Sequence, residues 1–326
     1  MPYMKTPTHC NRSVDFAENG IPSQQWFRGN FVTAQRCGKC GYIFFPPPDL
    51  EVLSEYYQHE YPEAAKSWYN PEMDYKEDKC QSRMAQILSI ASRFGISGRL
   101  SMHECGCSFG GTVLALRNSG HDATGTELNQ EAINQARLRG NEWIYCEDEA
   151  AFFARTGRKV DVLYGYHCLE HMPDPANCLG RARPHLSDRA IGVFFVPNVM
   201  YRPALQYGYD TYDWYAYPSH LHMYSPRSLL CLAEGANFEL LDVASNIKDA
   251  PSPPPGTRSC RPIPEALLER DWLGKELCFV ITPIDSLLAA ENSDRIMLIR
   301  DQCLIHGLLE KRMMEYVSSA TVSPNR

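Results

Sequence analysis

The sequence predicts an α/β fold built on a mostly parallel sheet. Residues 99–128 read as strand, glycine-rich turn, helix, strand and acidic residue, and the alternation of strand and helix repeats downstream. Hydrophobic residues make up 44% of the 326 positions, which is enough for a sizeable core. A helix between two strands carries the chain back across the sheet, so this alternation favours parallel strands.

The first unit is organised around a turn. A predicted strand, Arg99 to Glu104, enters a turn in which Gly106, Gly110 and Gly111 let the backbone approach a ligand without a Cβ in the way. Ser108 lies in the same turn and needs a backbone angle that a non-glycine residue can adopt. The following elements are a helix at Thr112 to Asn118 ended by Gly120, and a strand at Asp122 to Thr126 closed by Glu127.

Two carboxylates indicate what this turn binds. Glu127, at the tip of the second strand, is placed to accept hydrogen bonds from both hydroxyls of a ribose. Glu104 precedes the turn, where a carboxylate would repel a pyrophosphate and favour a cation. The glycine spacing also differs from the G-x-G-x-x-G of dinucleotide sites. The unit therefore predicts a ligand with a ribose, and a cation rather than a pyrophosphate beside Glu104.

The pattern continues after Glu127. An acid at the end of the third strand, Asp148 rather than Glu147, suits the exocyclic amine of adenine, or equally the N-terminus of the next helix. Val199 to Tyr224 is predicted to be a long loop that walls the substrate pocket. The predicted elements are helices at Asn129 to Arg139, Asp174 to about Leu186, Ser225 to Gly235 and Asp285 to Val317, and strands at Trp143 to Cys146, Val160 to Gly165, Ile191 to Val196, Asn237 to Val243 and Glu276 to Thr282.

The N-terminal sixty residues differ from the rest. Cys37-Gly38-Lys39-Cys40-Gly41 is a zinc-knuckle half-site, because its tight turn lets two thiolates reach one tetrahedral ion. Cys10, with His9 beside it, is the upstream candidate for a further ligand. The alternatives are a bound zinc ion and a ribbon that has kept its shape and lost its metal.

Leu50 to Phe94 is predicted to be a helical lead-in, whose aromatic residues either cover the ligand or pack together: Tyr56, Tyr57, Tyr61, Trp68 and Tyr69.

The turn resembles motif I of the class I S-adenosylmethionine (SAM) methyltransferases, with Glu104 for the usual Asp and Ser108 for the middle Gly. A second match strengthens the resemblance: Leu169-Glu170-His171-Met172, Asp174-Pro175 and a strand ending Val196-Pro197-Asn198 are similar to small-molecule methyltransferases of the ubiquinone-pathway type. The resemblance implies a Rossmann-like sheet of seven strands, mostly parallel with a terminal antiparallel hairpin, and SAM as cofactor. The implied cofactor residues are Glu104, Gly106, Cys107, Gly110, Glu127, Leu128, Asp148 and His167.

The resemblance extends to both ends of the chain. The Cys37–Cys40 knuckle is similar to the N-terminal zinc-binding module of some sugar methyltransferases, although the upstream C-x-x-C of that module is missing. The implied organisation is a zinc-ribbon-like module at 1–60, a helical lead-in at 61–98, a SAM-binding domain at 99–284 and a C-terminal helical appendage at 285–326. Structural zinc, held by Cys37, Cys40 and Cys10, is the second implied cofactor.

Three histidines and one glutamate are the candidates for catalysis. Imidazole titrates near neutrality and can accept a hydroxyl proton, so His171 is the first choice of base and His220 or His222 the second. In the resembling enzymes the Glu170–His171 pair serves equally to fix a loop or to bind a metal. These roles remain open at the level of the sequence.

Composition restricts the partners. A net charge of −7 and the absence of a basic run argue against nucleic acid as a partner. No apolar stretch approaches the roughly 20 residues of a membrane span, and the thirteen cysteines without an export signal indicate reduced thiols, so a cytoplasmic protein is expected.

The function expected from the sequence is methyl transfer to a small molecule, at oxygen or, as in related sugar enzymes, at carbon. The alternative is a degenerate methyltransferase fold that serves as a binding or scaffold subunit. A nicotinamide-dependent oxidoreductase ranks third, because Glu104 and the glycine spacing disfavour it.

Overall fold

A computed structural model describes residues 24–27, 30–37, 40, 42–46, 48–67, 69–201, 218–245 and 275–320. At its centre is a seven-stranded sheet of order β11-β12-β9-β8-β5-β6-β7. Strand β12 is antiparallel to both of its neighbours, and all other pairs are parallel, so the predicted sheet with its terminal hairpin is confirmed. The strands are β5 (Ser101–Cys105), β6 (Asp122–Glu127), β7 (Ile144–Cys146), β8 (Val160–Tyr166), β9 (Leu186–Pro197), β11 (Phe238–Ser245) and β12 (Glu276–Pro283).

Helices cover both faces of the sheet, because the central strands are apolar on both sides. One buried cluster joins Val162 and Tyr164 of β8 to Ile87, Leu116 and other residues of the lead-in and of the first two crossover helices. The other joins the opposite face to the later helices. The helices are α4 (Glu77–Arg93), α5 (Gly111–Asn118), α6 (Gln130–Leu138), α7 (Glu149–Thr156), α8 (Pro175–Ala182), α9 (Pro226–Gly235), α10 (Leu287–Glu291) and α11 (Ser293–Ala320).

The lead-in is not one continuous helix. It consists of α1 (Leu50–Glu55), a π-helical turn (Tyr56–Glu60), α2 (Tyr61–Ala64) and α3 (Pro71–Asp74) ahead of α4. Asn70 caps α3 by accepting a hydrogen bond from the Met73 N–H at 3.0 Å, and Pro71 occupies its first position. A proline has no N–H and fits best at a helix start, so the chain begins a new helix there. Trp68 lies outside the described residues.

Two small sheets lie near the N-terminus. Strands β1 (Gln24–Phe27) and β2 (Asn30–Thr33) form a hairpin. Strands β3 (Gln35–Arg36) and β4 (Ile43–Phe44) form a second sheet with β10 (His222–Met223), which belongs to the segment after β9. The predicted irregular loop over 199–224 therefore ends in a strand, and residues 202–217 of it are outside the described range.

Cys37 and Cys40 are buried, and the Cys37 N–H donates to the Tyr42 carbonyl oxygen at 2.7 Å, which closes the predicted turn. Among the described residues no third His, Cys, Asp or Glu completes a metal site with them. Cys10 lies outside the described residues, so structural zinc stays a prediction. None of the described helices combines the length and the apolar character needed to cross a membrane.

A histidine is buried within the sheet itself. The side chain of His103 on β5 is fully buried; its Nδ1 lies 2.9 Å from Thr124 Oγ1 and its Nε2 lies 3.2 Å from Thr126 Oγ1. The ring stacks on Phe152 with centroids 4.4 Å apart. Burial, with a smaller contribution from the charge of Arg158, lowers the pKa of His103 to about 3. The imidazole is therefore neutral in the folded protein.

We expect His103 to make the fold sensitive to acid. Its pKa is about 3 in the folded state and 6.5 unfolded, so between these values the unfolded chain binds more protons and stability falls as pH falls. This linkage should lower the free energy of unfolding by about 2 kcal/mol between pH 7 and pH 5. Urea unfolding at the two pH values measures it. His103→Gln should remove that part of the pH dependence and His121→Gln should retain it; equal pH dependence in both variants would contradict the assignment.

Candidate active site

The glycine turn between β5 and α5 adopts left-handed backbone angles. Gly106 has φ 60°, Ser108 has φ 53° and Gly110 has φ 77°. Ser108 therefore adopts the left-handed backbone angle that the turn was predicted to need at this position. Such an angle costs less free energy for a small polar residue than for a β-branched one. The Cys107 N–H donates to the Thr126 carbonyl oxygen at 2.9 Å, which fastens the turn to the end of β6.

Glu127 organises the facing side of this turn. Its Oε2 accepts a hydrogen bond from the Ser108 N–H at 2.9 Å, and its Oε1 accepts from the N–H groups of Leu128 and Asn129 at 2.8 and 2.9 Å. Burial raises the pKa of Glu127 although these three donors oppose the shift. A carboxylate offers about four acceptor sites, so one on Oε2 stays available for a ribose hydroxyl.

Glu104 lies beneath the turn rather than on its surface. It is buried, and its Oε2 accepts a hydrogen bond from the Tyr164 hydroxyl at 3.2 Å. Burial is the main cause that raises the pKa of Glu104 to about 8, and the nearby charge of Arg83 opposes the shift. At neutral pH this carboxyl is therefore mostly protonated until a cation approaches it.

Binding of a cationic ligand next to Glu104 should release a proton. An ammonium group favours the ionised carboxylate, so binding lowers a pKa that starts at about 8. We expect the affinity for S-adenosylhomocysteine, which keeps the ammonium group, to rise between pH 7 and pH 8. Calorimetry at pH 7 in two buffers of different ionisation enthalpy measures the release. Glu104→Gln should abolish it, and unchanged proton release in that variant would show that Glu104 is not the group involved.

The lead-in helices cover the turn with tyrosines. Tyr69 packs on Phe109 with ring centroids 5.1 Å apart, and the Tyr75 hydroxyl donates to the Phe109 carbonyl oxygen at 2.5 Å. Tyr57 and Tyr61 lie further along, with ring centroids 6.0 and 6.3 Å from that of His171. The π-helical turn carries Tyr56 and Tyr57, and such turns are frequent at functional sites.

Leu128 and Asp148 each make a hydrogen bond that involves a backbone group. Leu128 accepts a hydrogen bond on its carbonyl oxygen from Gln58 Nε2 at 2.7 Å, and its side chain is exposed. Asp148 caps α7, because its Oδ1 accepts from the Ala151 N–H at 2.8 Å. Of the two roles that the sequence left open for Asp148, capping is therefore present, and contact with adenine stays a prediction.

His167 follows β8 directly and links two carboxylates. Its Nδ1 lies 3.0 Å from Glu170 Oε1 and its Nε2 lies 2.9 Å from Glu276 Oε1. Burial lowers the pKa of His167, but the hydrogen bonds to Glu170 and Glu276 outweigh it and raise the pKa to about 9. His167 is therefore an imidazolium at neutral pH, and its role toward the cofactor stays a prediction.

His171 and His220 lie beside Glu170. The ring centroids of the two histidines are 4.9 Å apart, and His171 Nδ1 donates to the Ser219 carbonyl oxygen at 2.5 Å. Because a carbonyl only accepts, Nδ1 carries the proton and Nε2 is the basic nitrogen. Burial lowers the pKa of His171 although the charge of Glu170 opposes the shift. A neutral imidazole of this kind can accept a proton.

His222 is different from these two. It is fully buried; its Nε2 donates to the Met172 carbonyl oxygen at 2.5 Å, and its Nδ1 accepts a short hydrogen bond from the Tyr42 hydroxyl. Both ring nitrogens are thus engaged. Its position fits an anchor between the N-terminal sheet and the loop after β8 better than a group that exchanges protons with an acceptor.

Three residues of the site were not indicated by the sequence, and a fourth was indicated only as a member of a larger group. Tyr57 contacts His171, Tyr42 contacts His222, Glu276 pairs with His167, and Asp74 Oδ2 accepts from the Gly111 N–H at 3.0 Å. Tyr57 was named only as one of five aromatic candidates. The other three come from segments far away in the chain, where no local motif marks them.

These groups fit SAM as a ligand. The two carboxylates, Glu104 and Glu127, suit an ammonium group and a ribose, and they disfavour a pyrophosphate. The turn lies at the carboxyl ends of the parallel strands, which is where ligands bind in open α/β sheets. The residues that would hold the cofactor are those of the turn together with Glu127.

The comparisons with known proteins agree with this arrangement. A family model described as "Methyltransferase domain" matches residues 81–243. The ubiquinone biosynthesis O-methyltransferase of Pasteurella multocida (strain Pm70) is 24% identical over 152 residues, which are 42% of this chain and 61% of that protein. The chain therefore spans about three fifths of the length of this relative.

Solved structures with a similar fold include two methyltransferases with bound S-adenosylhomocysteine. The magnesium protoporphyrin IX methyltransferase from Synechocystis PCC 6803 is 10% identical with a TM-score of 0.49, covering 72% of this chain and 100% of its own. The plantazolicin methyltransferase BpumL is 14% identical with a TM-score of 0.46, covering 72% and 96%. The matching family model covers half of the 326 residues, including the glycine turn, Glu127 and the Glu170–His171 pair, and the chain therefore belongs to the methyltransferase-domain family.

Proposed function

We propose that the chain transfers the methyl group of SAM to a hydroxyl oxygen of a small molecule. Methyl transfer from a sulfonium is an in-line displacement, so the protein must hold cofactor and acceptor on one line. A weakly acidic hydroxyl also needs a base. The glycine turn with Glu127 supplies the first requirement, and the imidazole of His171 supplies the second.

The observation that carries this proposal is the position of Tyr57. Its carbonyl oxygen accepts a hydrogen bond from Asn129 Nδ2 at 3.4 Å, two residues after Glu127. Its hydroxyl donates to the Ser219 carbonyl oxygen at 2.9 Å and lies 3.0 Å from His171 Nδ1. One residue therefore joins the ribose side of the site to the base, which supports a single pocket that holds cofactor and acceptor together.

We assign His171 as the base and His220 as its neighbour in the same pocket. The acceptor O–H proton moves to His171 Nε2 as the oxygen attacks the methyl carbon, and the electron pair of the C–S bond stays on sulfur. The hydrogen bond from Nδ1 to Ser219 fixes the tautomer and the ring orientation. His222 acts as a positioning residue, and Glu170 holds the loop that carries His171.

The acceptor is proposed to be small for two reasons. The motif Leu169-Glu170-His171-Met172 resembles that of small-molecule methyltransferases, and the chain carries a net charge of −7. An acidic protein attracts a polyanion poorly. The relative from Pasteurella multocida is named an O-methyltransferase, which favours oxygen over carbon as the methyl acceptor.

Titration with S-adenosylhomocysteine and SAM tests the proposal. We expect one site with a dissociation constant in the micromolar range, followed by methyl transfer from labelled SAM to members of a panel of phenols, carboxylic acids and sugars. Absence of binding up to millimolar ligand would overturn the proposal. Binding without any transfer would instead favour the scaffold alternative.

A further inference from the structure

We propose that α11 pairs in the antiparallel direction with α11 of a second copy of this chain, and that the protein is a dimer through this helix. The helix begins at residue 293, after the segment 81–243 that the family model matches. Its outer face carries a stripe of apolar side chains that are between 39% and 68% exposed: Met297, Leu298, Leu304, Ile305 and Leu308. These positions recur at intervals of three, four and seven residues, so they follow one side of the helix.

The opposite face of α11 is already occupied. It packs on α9 and β11, and three of its side chains are at most 7% exposed: Ile299, Cys303 and His306. Two ion pairs hold the helix in this orientation, from Arg300 to Glu234 of α9 at 2.9 Å and from Arg295 to Asp242 of β11 at 3.1 Å. The helix therefore cannot turn its apolar stripe inward without losing these contacts.

The stripe is large enough for a specific interface. Five side chains of this size with these exposures leave on the order of 500 Å² of apolar surface, and a contiguous patch of that area often marks an interaction site. Two stripes facing each other would bury about 1,000 Å² in total, which is the area at which specific interfaces begin.

The charges on the exposed side of α11 favour a second copy of the helix as the occupant. Asp301 lies within the stripe, between Leu298 and Ile305, and is exposed. Position 312 is an arginine and follows Asp301 by eleven residues, which is roughly three helical turns, so it comes on the same side of α11. An acidic and a basic position on one stripe become complementary to each other when a two-fold axis repeats the stripe.

An antiparallel register brings these charges together. When the two-fold axis passes through the peptide bond that precedes Gly307, Asp301 of each copy faces position 312 of the other copy. In the same register Ile305 faces Leu308. The axis repeats each contact, so both charge pairs and both apolar pairs form at once. A parallel pair would instead place the two Asp301 carboxylates beside each other, where they repel.

A membrane surface fits this stripe less well than a second copy does. Helices that lie in the bilayer interface carry Lys and Arg on the face opposite the apolar one. In α11 the opposite face is buried against protein, and the exposed side carries Asp294 and Asp301. Anionic lipid headgroups would repel these two carboxylates.

Sedimentation velocity of the full chain tests the dimer. We expect a species of twice 37.0 kDa, with a dissociation constant in the micromolar range. Ile305→Glu and Leu308→Glu each bring a charge into the apolar contact and should convert the dimer to a monomer. Leu138→Glu is the matched control: Leu138 lies on α6 and is 79% exposed, and this variant should remain a dimer. Thermal unfolding of each variant verifies that it is folded.

An exchange of charges tests the antiparallel register. Asp301→Arg and Arg312→Asp each place like charges opposite each other and should weaken dimerisation by about tenfold. The double variant restores opposite charges in the exchanged order, so it should dimerise more tightly than either single variant. A double variant that dimerises no more tightly than the single variants would overturn the antiparallel pair.

Two further results would overturn the proposal. One is a single species of 37.0 kDa at protein concentrations up to ~100 µM; if that monomer sediments with anionic vesicles, the stripe belongs to a membrane instead. The other is a dimer that survives both Ile305→Glu and Leu308→Glu. Dimerisation does not depend on the proposed methyl transfer, and titration with S-adenosylhomocysteine is a separate measurement, so the failure of one is distinguishable from the failure of the other.

Discussion

Replacement of Gly111 by alanine is expected to lower the free energy of unfolding by about 3 kcal/mol. Gly111 begins α5, and a Cβ at this position would lie 2.3 Å from the Asp74 carbonyl oxygen and 3.0 Å from Cys80 Sγ. The first contact is with backbone, which cannot rotate away. Either α3 or the turn must move, and both cover the cofactor pocket, so S-adenosylhomocysteine binding should be lost together with stability. Urea unfolding and calorimetry measure the two effects.

Gly120→Ala is the matched control for this variant. Gly120 follows the same helix with φ +91°, and a Cβ there meets nothing within 4 Å. Alanine at Gly120 therefore costs only the left-handed backbone angle, about 1 kcal/mol, and should leave cofactor binding intact. A Gly111→Ala variant that is as stable as Gly120→Ala would show that α3 does not pack on the turn as described.

Replacement of Glu127 by glutamine is expected to weaken S-adenosylhomocysteine binding by about 10- to 100-fold, since hydrogen bonds to a charged group contribute about 1.5–3 kcal/mol each. The amide can still accept from Leu128 and Asn129, but its NH₂ group would face the Ser108 N–H. The turn would then lose one of its two hydrogen bonds to β6, the one from Ser108, and the ribose would lose its charged acceptor. Calorimetry measures the affinity.

Glu131→Gln makes the same change of charge on the exposed side of α6, where Glu131 Oε1 accepts from Gln135 Nε2. The affinity of the Glu131→Gln variant for S-adenosylhomocysteine should match that of the unmodified protein. If the Glu127→Gln variant bound S-adenosylhomocysteine as tightly as Glu131→Gln, the carboxylate of Glu127 would not be a cofactor ligand.

The parts of this fold that sequence reasoning predicted are those coded locally. The strands from β5 to β9, the left-handed Ser108 and the helix stops at Gly120 and Gly140 each depend on a few neighbouring residues. Apolar runs, glycines and capping residues determine the conformation of residues within about two helical turns of themselves. The right-handed crossovers between parallel strands then determine which face of the sheet each connecting helix covers.

The active site was less predictable, because its contacts join distant segments. Tyr57 and Ser219 are 162 residues apart, and Tyr42 and His222 are 180 residues apart. The sequence indicated the three histidines as one set, whereas the structure separates His222 from His171 and His220 through its burial. The breaks in the lead-in depend on Pro62, Pro71 and the π-helical turn, and a helical period alone does not place such a turn.

The three-stranded sheet formed by β3, β4 and β10 restricts which segments of this protein can be exchanged by recombination. β4 pairs with β10, and the Tyr42 hydroxyl holds His222, so the strand that follows the cysteine knuckle is packed against the segment that carries His220 and His222. A recombination event that exchanged the first sixty residues for those of another protein would remove these contacts, even with the seven-stranded sheet intact. The N-terminal strands and the methyltransferase domain should therefore be exchanged between genomes as one unit.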